Sequence, residues 1–179
     1  MEVLDHLSAG IFAATMAPLF EGAPRFLGRL AVARPYGSLD VLFERARQIA
    51  HAMPIAEQLE LIDAHPRLGA PPASVSALSF VEQGYDREAA ELAAHAAGTE
   101  RARVTAELDR LNTAYEARFG FRYCVLVAGR PRSALLADLE AALDADRLAE
   151  VRRAVDAVID IAADRASRLG VAESREART

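Results

Sequence analysis

Apolar residues recur every three or four positions over most of this chain, and that period confines it to helices packed on helices. It is clearest near the end, where Leu148, Val151, Val155, Val158, Ala162, Arg165 and Leu169 share one helical face. Earlier, Ser38 stands as an N-cap before Leu39, Leu42, Phe43, Ala46, Ile49 and Ala50. Pro54 opens a shorter helix with Leu59, Leu61 and Ile62, which must stop near Ala64 because Pro66 disfavours helical geometry at His65. Ser79-Phe80-Val81-Glu82 has the form of a capping box. A long helical stretch runs from about Asp86 to Phe119, with Val104, Leu108, Leu111 and Tyr115 as its stripe, a break point at Gly98 and Thr99, and Gly120 as terminator. Val3 to Pro18 reads as one short amphipathic helix with Leu4, Leu7, Ile11 and Phe12, and a further segment carries Phe26, Leu27 and Leu30. Ser133 reads as the cap of a helix with Leu135, Leu136, Leu139 and Leu143, and Asp144 to Asp146 start the last one.

Ala70 to Ser76 is a loop by composition. Phe121 to Ala128 has the β-branched and aromatic residues of a strand, but no second segment offers itself for pairing, so it reads as an extended, buried connection. The expected architecture is all-α, a compact single-domain bundle of about seven or eight helices over residues 1–170, followed by a polar, frayed tail over residues 171–179. With 179 residues, 52% of them hydrophobic and 26% charged, the chain has apolar material for one substantial core.

The charge balance narrows the function. A net charge of -5 and a pI near 5.4 argue against a nucleic-acid partner, which needs clustered positive charge; a small-molecule or protein partner fits better. The first residues, Met1 to His6, carry acids instead of a basic leader, and no apolar run has the length of a membrane span, so a cytoplasmic protein without membrane attachment is expected. The one cysteine, Cys124, forms no internal disulfide and lies in an apolar run, where it reads as a buried inert thiol. All 21 basic residues are arginine, which excludes Schiff-base catalysis by lysine and pyridoxal phosphate anchored to lysine. No histidine pair has the helical spacing of a metal site, and neither a Gly-rich phosphate loop nor a Gly-x-Ser-x-Gly elbow is present.

Three residues stand out as candidates for chemistry. Arg165 is the one charge on the apolar stripe of the last helix: it either meets an acceptor or ligand in the interior, or extends its head to water near the helix end. His65 is the only histidine whose backbone is restricted, between a helix end and Pro66; it is either an acid-base group held in a fixed direction or an inert loop residue. His6, His51 and His95 lie within helical patterns and read as surface or groove residues. Glu82 is equally a cap or a catalyst on this reading.

His65-Pro66-Arg67-Leu68-Gly69, then Ser79-x-x-Glu82-Gln83, then Leu111-Asn112-x-x-Tyr115-x-x-x-Phe119-Gly120-Phe121, in this order, resemble the OHCU decarboxylase family. The resemblance runs from about Ala17 to Leu169 and takes in Phe20-Glu21-Gly22-Ala23-Pro24 and Arg34-Pro35-Tyr36-Gly37-Ser38. It implies a compact all-α fold, a homodimer, and decarboxylation of 2-oxo-4-hydroxy-4-carboxy-5-ureidoimidazoline to (S)-allantoin in urate breakdown without metal or organic cofactor. Carried over by motif, His65 is the acid-base residue and Glu82 acts beside it, with Ser79 and Gln83 hydrogen-bonding the substrate. Pro66 fixes the histidine turn, the backbone of Tyr123, Cys124 and Val125 lines the pocket, and Arg165 binds substrate. These groups are expected to gather around one cavity. The chain departs from the family pattern at Arg25, Tyr85 and Arg122, and Arg67 stands where many relatives carry an acid, so another small carboxylated ureide or heterocycle is the alternative substrate and a helical binding module the alternative class.

Overall fold

The structure, a computed structural model, describes residues 2–86 and 98–176. Among the described residues there are nine α-helices: α1 (Glu2–His6), α2 (Ala9–Met16), α3 (Pro24–Val32), α4 (Leu39–Ala52), α5 (Ile55–Asp63), α6 (Ala77–Glu82), α7 (Gly98–Phe119), α8 (Leu136–Ala142) and α9 (Arg147–Glu176). Three 3-10 turns intervene, at Ala17–Phe20, Pro72–Ser74 and Arg132–Leu135. Among the described residues no strand is present; Phe121 to Val127 forms neither helix nor strand, with Phe121, Tyr123, Cys124 and Val127 buried, and the chain turns at Ala128, which has φ 49°. The first part of the stretch expected from Asp86, with His95, falls outside the described residues, as do residues 177–179. Helical backbone continues to Glu176, past the point where the sequence turns polar.

Contacts divide the chain into two compact units, residues 1–65 with 151–179 and residues 66–150. The first buries Phe12, Phe20, Phe26, Leu30, Leu42, Leu61 and Ile62 together with Val155, Val158 and Ala162 of α9. Burial of each of the larger side chains among them contributes about 1.5–3 kcal/mol. Arg47 of α4 ties to α9 through Asp156 and Asp160, at 2.6 Å each, and His51 lies 2.8 Å from Asp156. In the second unit α7 buries Val104, Leu108, Leu111, Tyr115 and Phe119 along the expected stripe. The Tyr115 ring packs against Phe119, Phe121 and Tyr123, and its hydroxyl donates to the buried Glu150 at 2.6 Å.

Three local expectations are corrected. The first helix is two, because Ser8 accepts from the Ile11 N–H and starts α2 anew, which leaves Ile11 exposed. Ser79 does not cap: Ser76 Oγ accepts from the Ser79 N–H at 3.2 Å, so the helix begins one turn earlier and Glu82 is its last residue. Ser133 lies inside a 3-10 turn that makes no side-chain cap, and α8 begins only at Leu136. Asp146 does cap α9, its Oδ1 accepting from the N–H groups of Leu148 and Ala149 at 2.9 and 3.1 Å. Ser76→Ala is expected to lower the free energy of unfolding in urea by about 1 kcal/mol; an unchanged value would return the cap to Ser79.

Candidate active site

His65 sits where the chain leaves α5. Ala64 closes that helix, the His65 N–H donates to the Ile62 carbonyl at 3.1 Å, and the side chain is 3% exposed. Its Nδ1 lies 3.4 Å from the Leu61 carbonyl, which can only accept, so the proton of the neutral ring belongs on Nδ1 and the lone pair on Nε2. Burial, and after it the Arg165 cation, push the His65 pKa from 6.5 down to about 4; the Glu21 carboxylate and the Leu61 carbonyl oppose them. At neutral pH this imidazole is uncharged, a base and not an acid.

Arg165 is the charge that the sequence places on an apolar stripe, and it does not reach for water: it is 3% exposed. Its Nη1 donates to the Pro18 and Leu19 carbonyls at 3.2 and 3.1 Å, and Nη2 pairs with Glu21 Oε1 at 3.0 Å. The neighbours on its stripe are Val151, Val155, Val158 and Ala162, all buried, whereas Leu148 and Leu169 at its ends are about half exposed. The 3-10 turn Ala17–Phe20 presents the two carbonyls, and Glu21 follows it in the left-handed conformation. In the sequence Glu21 stands only as part of a motif; an acid between that turn and Gly22-Ala23-Pro24 is the signal that it faces a cation.

In the second unit, the segment after His65 is held on three sides. The Arg67 guanidinium bonds Asp109 Oδ1 at 2.6 Å and Thr113 Oγ1 at 2.8 Å, with Nε 3.0 Å from Glu116. This commits Arg67 to the exposed face of α7. Asn112 Nδ2 donates to the Leu68 carbonyl at 2.9 Å, and the Gly69 N–H donates to Gln83 Oε1 at 2.8 Å. Gly69 has φ +78°, and a Cβ there would meet Leu108 Cδ1 at 3.0 Å, so both conformation and space require glycine. Because Gly69 holds the oxygen of Gln83, the Nε2 group is the end turned elsewhere. Ser79, Glu82 and Gln83 are all buried at the end of α6. Tyr123 and Cys124 are buried and Val125 is half-buried.

The departures from the family pattern are accounted for locally. Tyr85 is buried, its hydroxyl donates to the Ala70 carbonyl and the Arg132 guanidinium lies 4.4 Å above its ring. Arg25 pairs with Glu60 at the surface and Arg122 is exposed. Among the described residues no group of three or more His, Cys, Asp or Glu is placed to hold a metal ion, and no helix is long and apolar enough to cross a membrane.

A protein-family profile described as OHCU decarboxylase matches residues 5–167. The 2-oxo-4-hydroxy-4-carboxy-5-ureidoimidazoline decarboxylase of Haloferax volcanii is 26% identical over 162 residues, covering 90% of each chain. A uric acid degradation bifunctional protein of Bacillus subtilis is 30% identical over 162 residues, covering 90% of this chain and 31% of that one. Among solved structures, an OHCU decarboxylase crystallised in the presence of (S)-allantoin superposes with a TM-score of 0.65 at 20% identity, over 87% of this chain and 96% of that one. An (S)-allantoin synthase superposes at 0.60 with 17% identity, over 90% of this chain and 50% of that one. Both likenesses confirm the helical fold.

His65 links acidity to stability. Its folded pKa of about 4 lies below the ordinary 6.5, so the stability it contributes is complete above pH 6.5 and is lost as pH falls through 4. Urea unfolding at pH 7 and pH 4 is expected to show wild type losing up to about 3 kcal/mol more than His65→Gln; equal losses would mean the ring is not held neutral.

Proposed function

The chain belongs to the OHCU decarboxylase family, and from this we infer that it is a carboxy-lyase that converts 2-oxo-4-hydroxy-4-carboxy-5-ureidoimidazoline to (S)-allantoin in uric acid degradation. The observation that carries the mechanism is the buried His65, whose pKa is pushed down by burial and by the Arg165 cation, together with a guanidinium held by the chain's own acceptors.

The substrate carries its carboxylate on a ring carbon next to a C=N bond. As carbon dioxide leaves, the electron pair of the broken bond forms a carbon-carbon double bond and displaces the C=N pair onto the ring nitrogen, which takes up one proton. The product is an enol, which becomes allantoin when its hydroxyl proton is lost and a proton is added to the carbon bearing the ureido group. The substrate thus contains its own electron sink, and a lysine-free chain needs no imine. The protein's contribution is to hold the carboxylate out of the ring plane, stabilise charge with fixed donors, and move one proton on one face.

Nε2 of His65, as a lone-pair acceptor, takes the hydroxyl proton and returns it to the ureido-bearing carbon, which makes one enantiomer. Arg165 faces the substrate's anionic oxygens, and its internal bonds keep it from following them as they leave. By the family resemblance, the groups of the second unit assigned to substrate are Glu82, for the hydroxyl or ureido group, Ser79 and the Nε2 end of Gln83, for oxygens, and the backbone of Tyr123, Cys124 and Val125. Pro66 sets the direction of the histidine turn. The working form is a cytoplasmic homodimer that uses no metal or organic cofactor and binds no nucleic acid.

The test is chiral product analysis on freshly generated substrate. Wild type is expected to give (S)-allantoin in enantiomeric excess, and His65→Ala to lower turnover by about 10²–10⁴-fold, leaving the racemate of spontaneous decay. Undiminished (S)-allantoin from His65→Ala would remove this mechanism.

A further inference from the structure

We propose that Glu21 is a positioning residue for the decarboxylation: its carboxylate fixes the Arg165 guanidinium against the turn that precedes it, so that cation and imidazole keep one arrangement through the reaction. The proposal rests on the reading above, in which Arg165 and His65 serve the chemistry.

Four consecutive residues, Pro18 to Glu21, supply three acceptors to Arg165, and only the last of them carries charge. The two carbonyls locate Nη1; the carboxylate locates Nη2 and with it the rotation of the planar fork. The pair is well sheltered, with side chains 4% and 13% exposed, so screening by solvent is weak. The backbone adds an independent sign. Glu21 has φ 51° and ψ 28°, a left-handed conformation unfavourable for a residue with a side chain, and Gly22 follows at φ 85°. Glycine or asparagine would adopt that corner more easily. A long acid there is explained by what its side chain reaches, and it reaches the guanidinium.

Two charges on other elements act on His65: Arg165 from α9 and Glu21 from the turn, with opposite signs, while its own helix contributes the Leu61 carbonyl. Glu21 therefore touches the imidazole's environment twice, once through Arg165 and once by partly cancelling its field. Removing the carboxylate charge without changing side-chain shape separates this from a purely structural pair.

The experiment compares wild type, E21Q, R165Q and the double variant. The readouts are the His65 titration midpoint by NMR and the pH profile of kcat/KM. In E21Q the midpoint is expected to fall below the wild-type value of about 4, the acid limb of the profile to move with it, and kcat/KM at neutral pH to drop roughly 10- to 100-fold. In R165Q the midpoint is expected to rise. If Glu21 acts through Arg165, the double variant is no worse than R165Q; this comparison holds even if E21Q alone does not fold. A further loss on removing Glu21 from R165Q overturns the proposal, as does a folded E21Q with wild-type midpoint and profile. A wild type that releases no allantoin while E21Q still shifts the midpoint would remove the reaction and leave the pairing standing.

Discussion

A guanidinium closed into an apolar helix face constrains much of the first unit. Buried charge without partners costs several kcal/mol, so Arg165 is compatible with this fold only if acceptors are brought to it. They come from the other end of the sequence: the short turn after α2 spends two carbonyls on Nη1, and the left-handed residue that ends it supplies the counter-charge. Near that pair the imidazole at the exit of α5 is uncharged, because burial and the cation both oppose its protonation. The ion pair and the neutral base are thus two consequences of one packing decision.

The second unit is organised around placing a loop. Arg67 and Asn112 fasten the residues after the histidine to α7, and Gln83 fastens Gly69 to the end of α6. Arg67 is drawn into an ion-pair cluster on α7 with Asp109 and Glu116. Tyr85 is likewise absorbed by packing with Arg132 and Phe80.

Helices were legible in the sequence because amphipathic faces repeat over many residues, and the stripes of α4, α7 and α9 lie where spacing put them. Caps were not legible where several serines compete. Ser76 and Ser79 both precede apolar residues, and three-dimensional context selects the first; Ser8 is overlooked because its flanks are apolar on both sides. The anomaly at Arg165 was visible as a charge in an apolar stripe, but not its partners, which lie 144 and more positions away (Arg165 against Glu21, Leu19 and Pro18). His65 was visible through Pro66, whereas its depressed pKa depends on burial and on two remote charges. Spacing along a chain reports local geometry; electrostatics is set by contacts it does not encode.

The proposed mechanism turns on the protonation state of one ring. Nitrogen-15 spectra of histidine-labelled protein at neutral pH, with His65 assigned by substitution, read it directly. An uncharged His65 with the proton on Nδ1 and an unprotonated Nε2 is expected. Two protonated nitrogens at that ring, or a proton on Nε2 alone, would contradict it.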